Sequence, residues 1–327
     1  MRVLLTGGSG FIGSHVADQL SEQGHTVRAL VRASSDTQGL ELVPGLELAT
    51  GAVENRTSLD DAVRGCDAVV HVAGLVKARS PKEFFDVNAE GTKNLLAAAI
   101  AAGSPRRFVH VSSLAAIGPS LDGNPVDGDT PPRPVNNYGR SKLAGELTVL
   151  GAAGQIPVTV IRPPLVYGPR DHETLSFFTA IRRGTLPILG DGRNTLSLIY
   201  AADCAAAIVA AGLLDGPSGK AYFVNDGTVY VWREALEDIE TALGKRAVLR
   251  TGMPIWTLRL AAAASQTWGK VTNTAQMLTL DKVNELQHRH WVCNGEVARK
   301  ELNWVPHIQW PEGVRLAAEW YRKAGWL

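Results

Sequence analysis

Three glycines spaced three apart, Gly7, Gly10 and Gly13, follow an apolar run at Arg2–Thr6 and open a helical pattern over Phe11–Gln23. No other feature restricts the architecture as tightly. In a strand that turns at once into a helix, the first glycine permits the tight turn. The second lets backbone approach a pyrophosphate, and the third lets helix and strand pack closely. The helix start behind them offers unpaired N–H groups and partial positive charge to phosphates. The run Thr6-Gly7-Gly8-Ser9-Gly10-Phe11-Ile12-Gly13 therefore predicts a dinucleotide site on a Rossmann-type domain, contacted by Gly7, Gly10, Phe11, Ile12 and Gly13.

The first half of the chain keeps that rhythm. Apolar runs at Thr26–Val31, Leu46–Gly51, Asp67–Ala73, Phe108–Ser113 and Val158–Pro163 read as strands. Helical patterns at Glu83–Ala102 and Tyr138–Leu150 lie between them, and Gly24 ends the first helix. Alternation of this kind predicts an α/β fold with a doubly wound parallel sheet covered on both faces. After Pro163 the rhythm breaks. Asp171–Leu198 holds a helix and short extended pieces, Asp203–Leu214 and Trp232–Leu243 are helical, and Ala221–Val224 is a strand able to rejoin the sheet. The chain of 327 residues exceeds what one compact core usually serves. The expected division is a dinucleotide-binding domain over 1–168, with 199–225 returning to it, and a smaller C-terminal α/β substrate lobe over 169–327. There is no internal repeat.

Charge and composition exclude several roles. Lys+Arg 33 against Asp+Glu 32 gives a net charge of +1, which removes the electrostatic case for nucleic acid as a partner. Cys66, Cys204 and Cys293 lie far apart, so neither a disulfide framework nor a zinc site is expected, and no metal ligand set is apparent. No stretch approaches the roughly 20 apolar residues of a membrane span. With no leader pattern after Met1, a cytoplasmic protein is expected.

The end of the second strand bears on the dinucleotide. An acidic residue there would bond the adenine ribose hydroxyls and favour NAD. Here the strand ends Leu30-Val31-Arg32. A guanidinium recognises phosphate bidentately, so Arg32 points to NADP, with NAD possible if Arg32 is an ordinary solvated loop residue. Further along, Tyr138-Gly139-Arg140-Ser141-Lys142 puts a phenol and an ammonium on one helical face. The ammonium is expected to lower the phenol pKa and make Tyr138 a general acid or base for a carbonyl or alcohol oxygen. Ser112-Ser113 ends the preceding strand, at the carboxyl edge where ligands bind in an open parallel sheet.

With these residues together, the sequence resembles an extended short-chain dehydrogenase/reductase of the NAD-dependent epimerase/dehydratase family. It is closest in character to 3β-hydroxysteroid dehydrogenase and dihydroflavonol reductase-like members. The resemblance also covers His71-Val72-Ala73-Gly74, Asn88-Ala89-Glu90-Gly91-Thr92-Lys93-Asn94, Arg162-Pro163-Pro164-Leu165-Val166-Tyr167-Gly168 and Gly190-Asp191-Gly192. It implies that Ser113 orients the substrate oxygen, Tyr138 moves the proton, and Lys142 binds the nicotinamide ribose and tunes the tyrosine. It further implies that Val72, Ala73 and Gly74 lie along the cofactor, that Pro163 meets the nicotinamide end, and that Asn88 braces helix and sheet. A homodimer through the helices Glu83–Ala102 and Tyr138–Leu150 is implied as well.

Departures from the family pattern narrow the substrate. Members acting on nucleotide sugars resemble Gly-Asp-Gly-x-x-x-Arg, whereas this chain has Leu196 at the arginine position and Leu165 where those enzymes tend to carry asparagine. The charged phosphate clamp is thereby lost. Val53 stands near where an aspartate often faces adenine, so contact there would be apolar or through backbone. The stretch from Met253 to Ala264 is apolar with one tryptophan and one arginine. It reads as lobe core, as the wall or lid of an apolar pocket, or as a peripheral membrane contact. The expected function is an NADP(H)-preferring oxidoreductase that interconverts a secondary alcohol and a ketone on an apolar small molecule, steroid- or isoprenoid-like. The alternatives are a nucleotide-sugar epimerase or dehydratase with tightly bound NAD, and a cofactor-sensing protein without turnover.

Overall fold

The computed structural model describes every residue except 104, 214, 216, 217, 251 and 277, together with the side chain of 270. Its centre is a seven-stranded parallel sheet. The strands are β1 (Arg2–Thr6), β2 (Thr26–Val31), β3 (Leu46–Thr50), β4 (Ala68–His71), β5 (Arg107–Val111), β6 (Val158–Arg162) and β9 (Lys220–Phe223), in spatial order 3-2-1-4-5-6-9. Every residue of β4, β5 and β6 is buried. That is why these strands read as continuous apolar runs, since both faces of a parallel sheet are covered. One face carries α1 (Phe11–Glu22) and α9 (Ala201–Leu213), whose Val16, Ala17, Leu20, Ala205 and Ile208 pack on Val3, Leu5 and Val70. The other carries α3 (Arg56–Val63), α5 (Thr92–Ala101) and α7 (Asn137–Gly151). The helix expected to end at Leu214 is described through Leu213 only; Leu214 lies outside the described residues.

The short elements include α2 (Gln38–Glu41), α4 (Pro81–Phe85) and α6 (Leu114–Ile117). The single helix expected over Glu83–Ala102 is in fact broken. After α4 the chain runs through a π-helical turn, Asp86–Gly91, before α5 begins. A Cβ on Gly91 would sit 2.7 Å from the Val53 side chain, and Asn88 is fully buried inside the turn. The extra backbone residue lets Asn88 face inward while Gly91 closes on Val53, the kind of local device π-turns provide near functional sites.

Beyond β6 a second, smaller sheet forms from β7 (Leu165–Tyr167), β8 (Thr195–Tyr200), β10 (Val229–Val231) and β11 (His290–Trp291). Around it lie α8 (His172–Arg182), α10 (Trp232–Leu243) and α14 (Trp310–Lys323), sharing a core with Tyr167, Phe178, Leu236, Trp310 and Tyr321. Trp320 packs against this core beside Tyr321. Trp304, by contrast, joins the core of the large sheet through α13 (Glu296–Glu301). Two further helices, α11 (Ile255–Thr272) and α12 (Leu280–Leu286), share among the described residues a small core of Leu258, Ala262 and Val283, with Leu189, Ile255 and Leu278 against it.

A buried ion pair fixes α7 to β6. Arg162 donates to Glu146 at 2.5 and 3.1 Å and stacks over Phe223 at 5.2 Å, with both charged groups nearly inaccessible. Removing one partner strands the other charge in the interior, whereas replacing both need not. Glu146→Leu should therefore lower the free energy of unfolding by about 3–5 kcal/mol. Glu146→Leu with Arg162→Met should lose much less, and urea unfolding of the three proteins would decide between the outcomes.

Candidate active site

Because the large sheet is parallel, the segments following β1 to β6 all emerge at one edge. Gly7 takes φ +76°, and a Cβ there would lie 2.7 Å from Ala73 N. The glycine therefore lets the β1 turn close on the segment after β4. Gly13 packs against the turn itself: an added Cβ would fall 2.0 Å from the Gly7 carbonyl oxygen. Gly10 caps α1 without any side-chain cap, and the first helical turn contains no acidic residue. Unpaired N–H groups and the helix dipole are thus left facing outward, as a phosphate requires. Phe11 and Ile12, in that first turn, are half-buried. These residues fit a dinucleotide pyrophosphate on the chain's own stereochemistry.

The neighbouring segments are held by a chain of buried hydrogen bonds. Thr92 Oγ1–H donates to Asn88 O at 2.8 Å, so Thr92 Oγ1 accepts from His71 Nε2–H at 2.9 Å. His71 Nδ1 then accepts from the Thr6 hydroxyl at 2.7 Å, while Thr6 Oγ1 accepts the Ala73 N–H. Burial, with Lys142 nearby, pushes the His71 imidazole down to about 3, so it stays neutral. Asn88 continues the chain, accepting from Leu75 N–H and donating to Leu75 O and Ser141 Oγ. Ser141 Oγ donates to the Tyr138 carbonyl. Asn88 is thus a brace across the site. The sequence had suggested this much, but the Thr6–His71–Thr92 links had no local signal.

Ser113, Tyr138 and Lys142 converge beside that brace. Ser113 lies two residues beyond β5 and caps α6, its Oγ accepting from Ala115 N–H at 3.1 Å, which leaves its O–H to donate. Asn136 caps α7 through Gly139 N–H, and Gly139 lets α7 approach α6 so closely that a Cβ would meet Ala115 O at 2.2 Å. This contact brings Tyr138, in the first turn, to Ser113. Lys142, one turn later, is buried and donates to Val111 O at 2.5 Å; a Cβ on Gly74 would stand 3.4 Å from its Nζ. The ammonium therefore lies between the ends of β4 and β5.

The pKa values differ from expectation. Burial raises the Tyr138 phenol to about 12, opposed by the Ser113 hydrogen bond and assisted by the negative charge of Glu285. The expected lowering by Lys142 is absent because the ammonium is aimed at the Val111 carbonyl. Burial also lowers Lys142 to about 8, with Glu146 opposing. Glu285 is a further residue that sequence reading missed. It accepts from Asn136 Nδ2 at 2.6 Å, and Asp281 accepts from Asn137 N–H at 2.8 Å, so α12 docks on the start of α7.

The remaining residues are distributed as follows. Arg32 is exposed in a turn closed by Ser35. Val53 is buried under Gly91, with its carbonyl taken by Asn94 Nδ2 at 3.2 Å. Val72 and Ala73 are half-buried and Gly74 exposed after β4, and Pro163 is buried after β6 with its carbonyl accepting from Leu114 N–H. An open cleft of about 380 Å³ beside Arg32 is walled by Leu75 and Val87 and by the carboxylates of Glu54, Glu83, Asp86 and Glu90. Leu196 is only 8 % exposed, inside the lobe core. Arg193 stays outside, and Asp191 pairs with Arg289.

The comparisons accord with this geometry. The family model of the NAD dependent epimerase/dehydratase family matches residues 3–224. The chain belongs to that family. It is 33% identical to the ceramide reductase of Caulobacter vibrioides, over 99% of this chain and 96% of that protein. It is 31% identical to the 4-hydroxy-2-methyl-3-oxo-4-farnesyl-3,4-dihydroquinoline-1-oxide ketoreductase of Stigmatella aurantiaca, over 96% and 95% respectively. The dTDP-glucose 4,6-dehydratase DesIV of Streptomyces venezuelae, solved with NAD bound, superimposes with a TM-score of 0.82 at 26% identity, covering 100% of this chain and 98% of that one. The protein is an NAD(P)-dependent oxidoreductase of the extended short-chain type.

The neutral histidine gives a testable pH dependence. Between pH 6.5 and about 3 the unfolded chain binds a proton on His71 that the folded chain refuses, so stability falls as pH falls through this window. His71 should contribute a slope of up to about 1.4 kcal/mol per pH unit. A His71→Gln variant should show a correspondingly shallower loss between pH 6 and 4, measured by urea unfolding at each pH.

Proposed function

We propose that this oxidoreductase reduces a ketone on a long, apolar small molecule to a secondary alcohol, with NADPH preferred over NADH. The carrying observation is the meeting of Ser113 and a protonated Tyr138 at the carboxyl edge of β5, with the Lys142 ammonium one helical turn away. When bound, the nicotinamide dinucleotide supplies the hydride. Gly7, Gly10, Phe11, Ile12 and Gly13 would hold its pyrophosphate, Arg32 and Val53 its adenosine end, and Val72, Ala73, Gly74 and Pro163 its nicotinamide side.

The chain's own residues do the rest. Ser113 Oγ, already accepting from Ala115 N–H, turns its hydroxyl proton toward the substrate oxygen and positions the carbonyl. Tyr138, neutral far above physiological pH, donates its phenolic proton to that oxygen as negative charge builds there. The Lys142 ammonium, one helical turn along α7, donates to Val111 O in this arrangement, and turning from that carbonyl toward the phenolate would bring its charge to bear in a dry site. Burial of Lys142 thus works against its own charge but strengthens its effect while the charge lasts.

The apolar substrate is supported by the side chain at Leu196, which fills lobe core where nucleotide-sugar enzymes resemble one another in carrying an arginine. It is supported also by the two relatives above, one named for ceramide and one for a farnesyl quinoline. For the cofactor, Arg32 faces a cleft with four carboxylates, but Glu83, Asp86 and Glu90 are paired with Arg79, Lys82 and Lys93, which leaves Glu54 as the main opposing charge.

Two outcomes test the reading. Tyr138→Phe should lower the NADPH-dependent reduction of long-chain β-keto lipids by about a hundredfold or more without weakening NADPH binding. In the wild type the rate should fall as pH rises through about 8, where Lys142 loses its proton, and Lys142→Met should lose that limb along with most activity. Undiminished activity in Tyr138→Phe would overturn the mechanism. For the cofactor, Arg32→Ala should raise the Kd for NADPH by about tenfold relative to that for NADH. Equal weakening of both would exclude Arg32 as the reader of the 2′-phosphate.

A further inference from the structure

The helix α11 has two apolar faces, and only one of them is covered. Ile255, Leu258 and Ala262 turn inward against Leu189, Leu278 and Val283. On the opposite side Trp256, Leu260, Ala264 and Trp268 follow one another at intervals of four, with Val271 beside them. Trp256 is 63 %, Leu260 64 %, Trp268 65 % and Val271 77 % exposed. Residues at that spacing form a single stripe, here on an 18-residue helix about 27 Å long. The stripe continues into the segment before the helix, where Val248, Leu249 and Met253 are also exposed. The described helices include none long and apolar enough to cross a membrane, so the stripe is a surface feature.

Charge says what such a face fits. From residue 241 to residue 280 the sequence has no Asp or Glu, but it contains Lys245, Arg246, Arg250, Arg259 and Lys270. The whole chain is balanced at 33 basic and 32 acidic residues, so the asymmetry is local. Arg250 is neutralised by Glu237 and Glu240. Lys245, Arg246 and Arg259 take part in no ion pair among the described residues, nor do Arg182 and Arg183 at the end of α8. Backbone bonds join the two clusters: Val248 N–H and Leu249 N–H both donate to Gly184 O, and Met253 N–H donates to Ile188 O. Lys245 Nζ meets the Arg182 carbonyl. The cations therefore gather where 184–190 and 248–253 run side by side, and the exposed stripe of α11 starts at the far end of that ladder.

We propose that this face is a docking surface for an anionic lipid bilayer, with α11 lying in the plane of the interface. Exposed tryptophans, an apolar stripe and neighbouring cations are the composition of an in-plane interfacial helix, and the carboxylates that share a cleft with Lys245 and Arg246, Glu237 and Glu240, are taken up by Arg250. A second copy of the chain fits less well, because a two-fold pairing of this face would set cation against cation. The inference rests on the proposed function only in giving the docking a purpose, delivery of a bilayer-resident substrate to the lobe. The two fail separately.

The test uses the purified full chain and vesicles of phosphatidylcholine with or without phosphatidylglycerol. Flotation should recover the protein with the anionic vesicles, far less with pure phosphatidylcholine, and progressively less as salt is raised. Trp256→Ser with Leu260→Ser and Trp268→Ser should weaken that binding by about tenfold or more while NADPH affinity, a check on folding, is unchanged. Lys245→Glu with Arg246→Glu, which leaves the stripe intact, should remove the salt-dependent part. Reduction of a short water-soluble ketone should be unaffected in both variants, and reduction of a long-chain ketone in vesicles should fall. Failure of the wild type to bind anionic vesicles would overturn the proposal. So would a stripe variant that binds equally well, or one whose only change is loss of self-association by light scattering. Vesicle binding with no ketone reductase activity would retain the docking surface and remove the proposed reaction.

Discussion

The His71 imidazole, held neutral between two threonine hydroxyls, is the contact on which the site's geometry depends. It lies at the end of β4 and ties β1, through Thr6, to α5, through Thr92. Each proton in the chain has one place to go, because Thr92 must donate to Asn88 O and Thr6 must also accept from Ala73 N–H. A fully satisfied buried network of this kind favours one arrangement, since any slip leaves a buried polar atom unpaired. Through Asn88 and Ser141 the same chain reaches the backbone of Tyr138. The glycine turn after β1 and Tyr138 are thereby parts of one braced unit.

Bare backbone contacts complete that unit. Gly7 against Ala73, Gly13 against Gly7, Gly139 against Ala115 and Gly145 against Asn88 O are all approaches that a methyl group would block. These contacts bring the turn and α7 within reach of the strand ends, and hydrogen bonds then set the angles. What remains under electrostatic tension is Lys142, an ammonium in the interior with the Val111 carbonyl as its acceptor and Glu146 a turn away. Its burial is costly to the fold; in the proposed reaction it would strengthen the hold on a developing phenolate, because a charge acts more strongly in a dry site than in water.

Much of this was legible because it is local. Buried parallel strands are written as unbroken apolar runs, so β1 to β6 were placed within about two residues, and the three-residue glycine spacing and the Tyr138–Lys142 spacing lie within single elements. What was not legible depends on distance or on direction. The π-turn at Asp86–Gly91 is set by Val53, which packs there from β3's far end. The lobe sheet is built from strands of two to six residues in mixed orientation, too short for a periodic signal. Asp281 and Glu285 reach α7 from 144 and 149 residues away. The pKa of Tyr138 was read in the wrong direction because sequence spacing gives the face a lysine shares, not the atom its ammonium meets.

The small core around α12 links the site to the molecule's outer surface. Val283 of α12 packs with Leu258 and Ala262 of α11, while Asp281 and Glu285 of the same helix hold the first turn of α7 through Asn137 and Asn136. Lys282 pairs with Glu285 and helps orient it. Only one seven-residue helix therefore stands between the exposed stripe of α11 and the turn that carries Tyr138. Its polar side faces α7 and its apolar side faces α11, and among the described residues few buried apolar contacts hold it to the rest of the lobe. Elements with small cores open at lower free energy than the main core does. A long apolar substrate of the kind proposed would have to enter between parts that can separate without disturbing the braced unit behind Tyr138. The α11–α12 pair meets that requirement, because its loss of packing would release Asn136 and Asn137 from α12 and leave the His71–Asn88 brace intact.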